Sequence, residues 1–332
     1  MLNPRPVRQS VREIDDNSWI IGDVLLLSHT PVRPSSGCFW SDGGNAFYTL
    51  SELDHAKHQT RPLSPTSLVQ LVHDAGDCHA VWRFGEAFLK VQVLSTPSRT
   101  PEHITLNYLH DPANGPAPTF PTPRVLYHKE YDNRYYLFTS RVPGDSLEKA
   151  WPSMDEATKQ ACVGQVVKIC KELAQRRHNE ICGVDGGCLS EDWIKPPRAL
   201  NGYSHEILLQ YCKELKMKCD AFVLYHCDIG PKNAIVDLRE GCKVGLVDWE
   251  VTGFVPEEWI RTKFCVCWGM DFDFPDNDVE SKDWRQRVQL QLGQEGFSEV
   301  AEAWKSRFSK ARSVSTIESP LDCIMLRMCA LD

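Results

Sequence analysis

The feature that most constrains this chain is a short polar skeleton set between apolar runs. Leu224-Tyr225-His226-Cys227-Asp228-Ile229-Gly230-Pro231-Lys232-Asn233-Ala234-Ile235-Val236-Asp237 is followed by a polar turn around Glu240-Gly241 and then by Val244-Gly245-Leu246-Val247-Asp248-Trp249-Glu250. Reduced to its polar positions, this is His-x-Asp, four residues, Asn, and an Asp fifteen residues beyond the Asn. Ala234 to Val236 and Val244 to Val247 read as a hairpin, which returns Asp248 to the side of Asn233. The loop from Asp228 to Asn233 is long enough to turn both side chains toward one place.

Phosphoryl transfer uses those residue types in that arrangement. One carboxylate, Asp228, accepts or orients the attacking hydroxyl. Mg²⁺ wants hard oxygen ligands beside the ATP phosphates, and the Asn233 amide with the Asp248 carboxylate supplies them. Taken singly, each is an ordinary cap or turn residue; standing together between two apolar strands, they read as a site. His226 reads as a packed, hydrogen-bonded support of the loop rather than a base.

The rest of the chain changes texture near residue 140. Residues 1–60 are mixed and rich in turn residues, with Trp19 to Leu27 as one strand or buried segment. Strand patterns follow at Leu68–His73, Ala80–Arg83, Ala87–Val93, Val125–His128 and Tyr135–Ser140, with a helix from Pro101 to Leu109. Beyond them, Ser153 and Glu156 fit a capping box, and apolar residues at helical spacing run from Val163 to about residue 178. Ser204 to Lys218 predicts another helix, and the region from Ser281 onward is helical in pieces. The expected fold class is α+β: a small antiparallel β-rich lobe over residues 61–140, a larger helical lobe over 141–332, and an extension of uncertain structure over 1–60.

Composition excludes several classes. Lys and Arg number 37 against 45 Asp and Glu, for a net charge of −8, so there is no basic footprint for nucleic acid. The most apolar stretch near the start is broken by Gly22 and Asp23, so it neither spans a bilayer nor serves as a signal peptide. The 14 cysteines contain no Cys-x-x-Cys and no zinc-finger spacing, which predicts reduced thiols, no structural zinc and a cytoplasmic protein.

His226-Cys227-Asp228 with Asn233, and Asp248-Trp249-Glu250, resemble the catalytic loop and the metal-binding segment of the aminoglycoside phosphotransferase family, the small-molecule branch of the protein-kinase-like superfamily. Phe254-Val255-Pro256-Glu257-Glu258-Trp259, Val142-Pro143-Gly144-Asp145-Ser146-Leu147 and Trp151-Pro152 resemble uncharacterised fungal members. The resemblance covers roughly residues 65–275. It implies a bilobal protein-kinase-like fold, ATP and Mg²⁺ as cofactors, and transfer of the γ-phosphoryl group to a hydroxyl of a small molecule. By position it implies that Lys90 holds the ATP phosphates with Glu102 as its ion-pair partner. It also implies that the Ser140 carbonyl and the Val142 amide hold the adenine edge, since Pro143 has no N–H. The chain departs from the wider pattern in lacking a Gly-rich loop, in carrying Cys227 where Gly is frequent, and in carrying Glu250 where a second Asp is usual.

The acceptor is less legible. Asp271, Asp273, Asp276, Asp278 and Glu280 interleave with Phe272, Phe274 and Trp284. Such a lining suits an amine-bearing acceptor through charge and cation–π contact; the simpler reading is a solvated acidic loop that begins the next helix. A non-catalytic nucleotide- or partner-binding protein of the pseudokinase type is the alternative, and the presence of Lys90, Asp228, Asn233 and Asp248 argues against it. The sequence assigns no oligomeric state.

Overall fold

The computed structural model describes residues 5–54, 58–94, 99–196, 203–239, 241–274 and 278–313. These form two compact units. The first takes the residues up to Leu94 together with Pro123–Arg141, and the second takes residues 99–122 and the chain from Val142 onward.

The first unit is built on two antiparallel sheets of five strands each. One comprises β1 (Val11–Asp15), β2 (Ser18–Ile21), β3 (Leu25–Thr30), β4 (Cys38–Ser41) and β5 (Phe47–Glu52), in the order β1-β2-β3-β5-β4. The other comprises β6 (Gln70–Asp74), β7 (His79–Phe84), β8 (Ala87–Val93), β9 (Val125–Tyr131) and β10 (Arg134–Ser140), in the order β6-β7-β8-β10-β9. Strand side chains alternate between faces, and both sheets turn their apolar sets into one core. Trp19, Ile21, Leu25, Leu27, Trp40 and Tyr48 come from the first sheet, and Trp82, Phe84, Leu89, Val91, Tyr136 and Phe138 from the second. Trp40 stands 5.3 Å from Phe138, and Phe84 stands 6.1 Å edge-on to Tyr48, by ring centroids. The indole Nε1–H of Trp40 donates to the Phe84 carbonyl at 2.8 Å, so the ring is buried with its polar atom satisfied.

Val11 to Glu52 therefore carry a five-stranded sheet where the sequence suggested turns and a single strand or buried segment. The run from Trp19 to Leu27 is two strands rather than one. Gly22 (φ +59°) and Asp23 (φ +60°) are the left-handed central pair of the turn from Ile21 to Val24, whose hand suits the twist of a hairpin. A Cβ at Gly22 would lie 2.5 Å from the Tyr136 ring, so glycine is required there twice over.

The second unit is rich in helices: α1 (Glu102–His110), α2 (Leu147–Ala150), α3 (Glu156–Leu173), α4 (His205–Glu214), α5 (Glu257–Val266), α6 (Asp278–Gln294) and α7 (Ala301–Ser313). Its short strands are β11 (Asp145–Ser146), β12 (Arg177–His178), β13 (Cys182–Gly183), β14 (Phe222–His226), β15 (Ala234–Asp237), β16 (Lys243–Leu246) and β17 (Thr252–Val255), in two small sheets ordered β11-β15-β16 and β12-β14-β17-β13. Helix α5 packs on α6 and α7, and α3 packs on α6 and β14. None of the described helices is long and apolar enough to cross a membrane.

Two local expectations are corrected. The N-cap of α3 is Asp155, whose Oδ1 accepts the Thr158 N–H at 2.8 Å, while Ser153 donates its hydroxyl to the Ala150 carbonyl. A 3-10 turn over Trp151–Ser153, begun by Pro152, delays the helix past the expected cap. The same helix ends at Leu173, because Arg177 and His178 pair with β14. The expectation of free thiols throughout is corrected too: Cys162 on α3 and Cys242, just before β16, form a disulfide spanning 80 residues, and ten other described cysteines are free.

Two outcomes follow from this packing. Phe84→Ala should cost about 3–5 kcal/mol, the range for emptying a buried aromatic site, measured by urea unfolding; a loss below about 1 kcal/mol would contradict a shared two-sheet core. Denatured, unreduced protein should titrate two thiols short of the reduced protein, and Cys162→Ser should abolish that difference.

Candidate active site

Strand β14 is buried along its whole length and delivers His226 into the interior. The imidazole bridges two backbone segments. Its Nε2 lies 3.1 Å from the Val247 carbonyl, and its Nδ1 accepts the Asp228 N–H at 3.2 Å. Those partners fix one neutral tautomer, with the proton on Nε2. Burial pushes the His226 pKa below its ordinary value, which agrees. His226 is thus a support that binds the Asp228 loop to the residue preceding Asp248.

The loop itself is tightly internally bonded. Gly230 N–H donates to the Asp228 carbonyl, and both Asn233 and Ala234 N–H groups return to the Gly230 carbonyl. The Asn233 amide nitrogen donates to the Asp228 carbonyl at 3.0 Å and to Asp228 Oδ2 at 2.8 Å. Asp228 and Asn233 are therefore side by side, as their spacing predicted. The hairpin of β15 and β16 forms in register from Ala234 opposite Leu246 to Asp237 opposite Lys243, and the Val247 N–H donates to the Asn233 carbonyl at 3.0 Å. Asp248 follows directly.

Asp248 takes φ +65°, a left-handed backbone that a non-glycine residue adopts at a cost. The next residue is clamped on both sides. Trp249 donates its indole N–H to the Leu246 carbonyl at 3.0 Å and its backbone N–H to Glu102 Oε1 at 3.0 Å. Its ring lies 4.7 Å, edge-on, from the His226 imidazole. Glu102 stands in the first turn of α1 and is buried, so it serves the Asp248 segment directly.

The sequence did not single out the buried ion pair behind this loop. Lys263 Nζ on α5 lies 2.7 and 2.8 Å from the two oxygens of Glu191, and both residues are buried. Burial works to lower the Lys263 pKa, but the Glu191 carboxylate more than offsets it and keeps the ammonium charged. Burial pushes the Asp228 pKa up; the Lys263 ammonium opposes that shift, and the Asp248 and Glu250 carboxylates add to it. A signal existed in α5, where Lys263 shares the buried face of Trp259, Ile260 and Phe264. Its partner lies 72 residues away, and no local pattern reveals it.

The remaining candidates sit as follows. Lys90 lies on β8 opposite Leu137 of β10 and Val81 of β7, buried, on the face opposite the core residues Leu89 and Val91. Ser140 ends β10, with its N–H donating to the Arg124 carbonyl and its hydroxyl accepting the Arg124 N–H, both at 2.8 Å. Val142 is buried and opens the second unit. In the acidic segment, Asp271 is held by Arg285 at 2.5 and 3.0 Å, and Phe272 and Trp284 are buried against Trp151. Those groups are packing and paired charge, so for them the segment is neither a solvated loop nor an open acidic lining. Asp276 and the side chain of Asp278 lie outside the described residues.

An amide oxygen and carboxylates are hard donors of the kind Mg²⁺ takes. No group of three or more His, Cys, Asp or Glu among the described residues is arranged to hold a metal. Mg²⁺ keeps its waters and takes phosphate oxygens, so it needs only one or two protein ligands. With its nitrogen committed to Asp228, Asn233 has its amide oxygen to offer.

The phosphotransferase enzyme family's model matches residues 79–256, more than half of the 332 residues. Among solved structures, the chain is similar to a thermostable mutant of the aminoglycoside phosphotransferase APH(4)-Ia in a ternary complex with AMP-PNP and hygromycin B. That match has 14% identity and a TM-score of 0.48, over 72% of this chain and 82% of that one. Monomeric WbdD matches at 16% identity and a TM-score of 0.34, over 79% of this chain and 53% of its own, so this chain spans about half of WbdD. No curated protein matches the sequence.

Removing the Glu102 carboxylate leaves the buried Trp249 N–H without an acceptor. Glu102→Ala should cost about 1–3 kcal/mol, the penalty of an unsatisfied buried donor, read by chemical denaturation. Wild-type stability in this variant would show that the clamp on the Asp248 segment carries no weight.

Proposed function

We propose that this chain, which belongs to the phosphotransferase enzyme family, transfers the γ-phosphoryl group of ATP to a hydroxyl of a small molecule. The observation that carries this reading is the joining of Asp228, Asn233 and the Asp248 segment into one hydrogen-bonded unit around His226. Asp228 orients the acceptor hydroxyl and takes its proton. The Asn233 amide oxygen and the Asp248 carboxylate would hold Mg²⁺, which supplies charge neutralisation at the ATP phosphates when bound. Lys90 is the proposed phosphate contact, and the Ser140 carbonyl and Val142 N–H the proposed adenine contacts. Glu102 is assigned to the Trp249 N–H, and any pairing with Lys90 would be additional. The chemistry asks for position and electrostatics more than covalent catalysis. A rigid loop with fixed backbone hydrogen bonds suits that demand.

Two measurements bear on this. Mg²⁺ and ATP together should raise the melting temperature, because a ligand that binds only the native state stabilises it, and Asp248→Asn should remove the Mg²⁺-dependent part. No shift at millimolar Mg²⁺ and ATP would refute the nucleotide site. Asp228→Asn keeps shape and removes charge, so turnover of an accepted alcohol should fall by on the order of 10²–10⁴. ATP affinity should change by less than about tenfold. Intact turnover with collapsed ATP binding would instead make Asp228 a metal ligand.

A further inference from the structure

Of the ten tryptophans, Trp268 alone is exposed, at 46% of its surface. It lies in the turn that follows α5, beside the Asp228 loop: the Gly269 carbonyl and the Met270 Cα come within 3.9 and 3.8 Å of where a Gly230 Cβ would stand. Three further aromatic rings hold it. Trp268 meets Trp193 edge-on at 4.4 Å, Trp193 stacks on Trp304 at 5.5 Å, Trp304 stacks on Phe308 at 4.9 Å, and Phe308 returns edge-on to Trp268 at 6.0 Å. The Trp304 indole N–H donates to the Trp193 carbonyl at 2.7 Å. The Trp193 N–H donates to Glu191 at 2.8 Å, and Glu191 is the buried partner of Lys263. The exposed indole is thus tied by rigid contacts to the ion pair that lies behind Asp228.

Three carboxylates near this platform are already paired. Glu191 holds Lys263, Asp192 lies 3.1 Å from Lys195, and Asp271 holds Arg285. Lys263 Nζ also sits 5.6 Å over the Trp193 ring, so that ring already carries a cation. An additional ammonium would find none of these three carboxylates free and would lose its hydration at a cost. An uncharged flat ring gains by stacking without that penalty.

We propose that Trp268 is the acceptor platform and that the acceptor is an uncharged alcohol carried on a planar aromatic body. The inference rests on the phosphotransferase reading. In the reaction, the alcohol oxygen forms a bond to the γ-phosphorus of ATP as its proton passes to Asp228. The bond from that phosphorus to the bridging oxygen breaks, and its electron pair leaves with ADP.

The test is calorimetric titration of the full chain with naphthylmethanol, choline and glycerol, each in the presence of Mg²⁺ and AMP-PNP. Naphthylmethanol should bind at least about tenfold more tightly than either other alcohol. Trp268→Ala should weaken its binding about threefold to tenfold, the scale of one aromatic pair, while Trp268→Phe keeps most of it. Equal binding of the three alcohols, no binding of any, a preference for choline or glycerol, or an unchanged Trp268→Ala affinity overturns the aromatic-acceptor inference. If Trp268→Ala does not fold, wild-type selectivity and Trp268→Phe still decide. Failure of Mg²⁺ and AMP-PNP to bind in their own titration is a different result and sinks the phosphotransferase reading beneath it.

Discussion

The imidazole of His226 is bonded on both sides, to the Asp228 N–H through Nδ1 and to the Val247 carbonyl through Nε2. A buried ring can serve both partners only when neutral, and burial favours that form. Through this one side chain the Asp228 loop and the Asp248 strand end share a fixed geometry. Trp249 packs against the ring and passes the constraint to Glu102 at the start of α1. The left-handed backbone of Asp248 is held by this network rather than by its own preference.

The first unit solves a separate problem. The sheet formed by β6 to β10 has one face that carries Trp82, Phe84, Leu89, Val91 and Phe138, and such a face cannot stand in water. The N-terminal sheet covers it with Trp19, Trp40, Tyr48 and the leucines of β3. Lys90 falls on the opposite face by strand alternation, so the covering sheet leaves the candidate phosphate contact on its own side.

The Lys263–Glu191 pair places a full positive charge in the interior next to a loop with several carboxylates. Such a pair is costly to desolvate and is kept ionised only by its close two-point geometry. Truncating either partner would strand a buried charge beside Asp228. The same pair, through Trp193, anchors the aromatic cluster that presents Trp268.

The Asp228 loop, the hairpin from Ala234 to Leu246 and the strands from 79 to 140 were legible because their signals are local. Spacing along one segment sets which side chains meet, and alternation sets which face is buried. The N-terminal sheet was hidden because its strands are short and split by turns such as Gly22-Asp23, so that their apolar residues make sense only against Phe84 and Phe138. The helix start at Asp155 turned on a 3-10 turn that a capping pattern does not register. By itself, the sequence determined which candidate residues, Asp228 and Asn233, stand side by side and the hairpin that returns Asp248 to Asn233. Only the tertiary structure decided that Glu102 clamps Trp249, that Lys263 pairs with Glu191, that Cys162 bonds Cys242 and that Trp268 stays exposed. Those contacts join residues far apart in the chain, and whether such residues meet depends on how their separate elements pack around a common core.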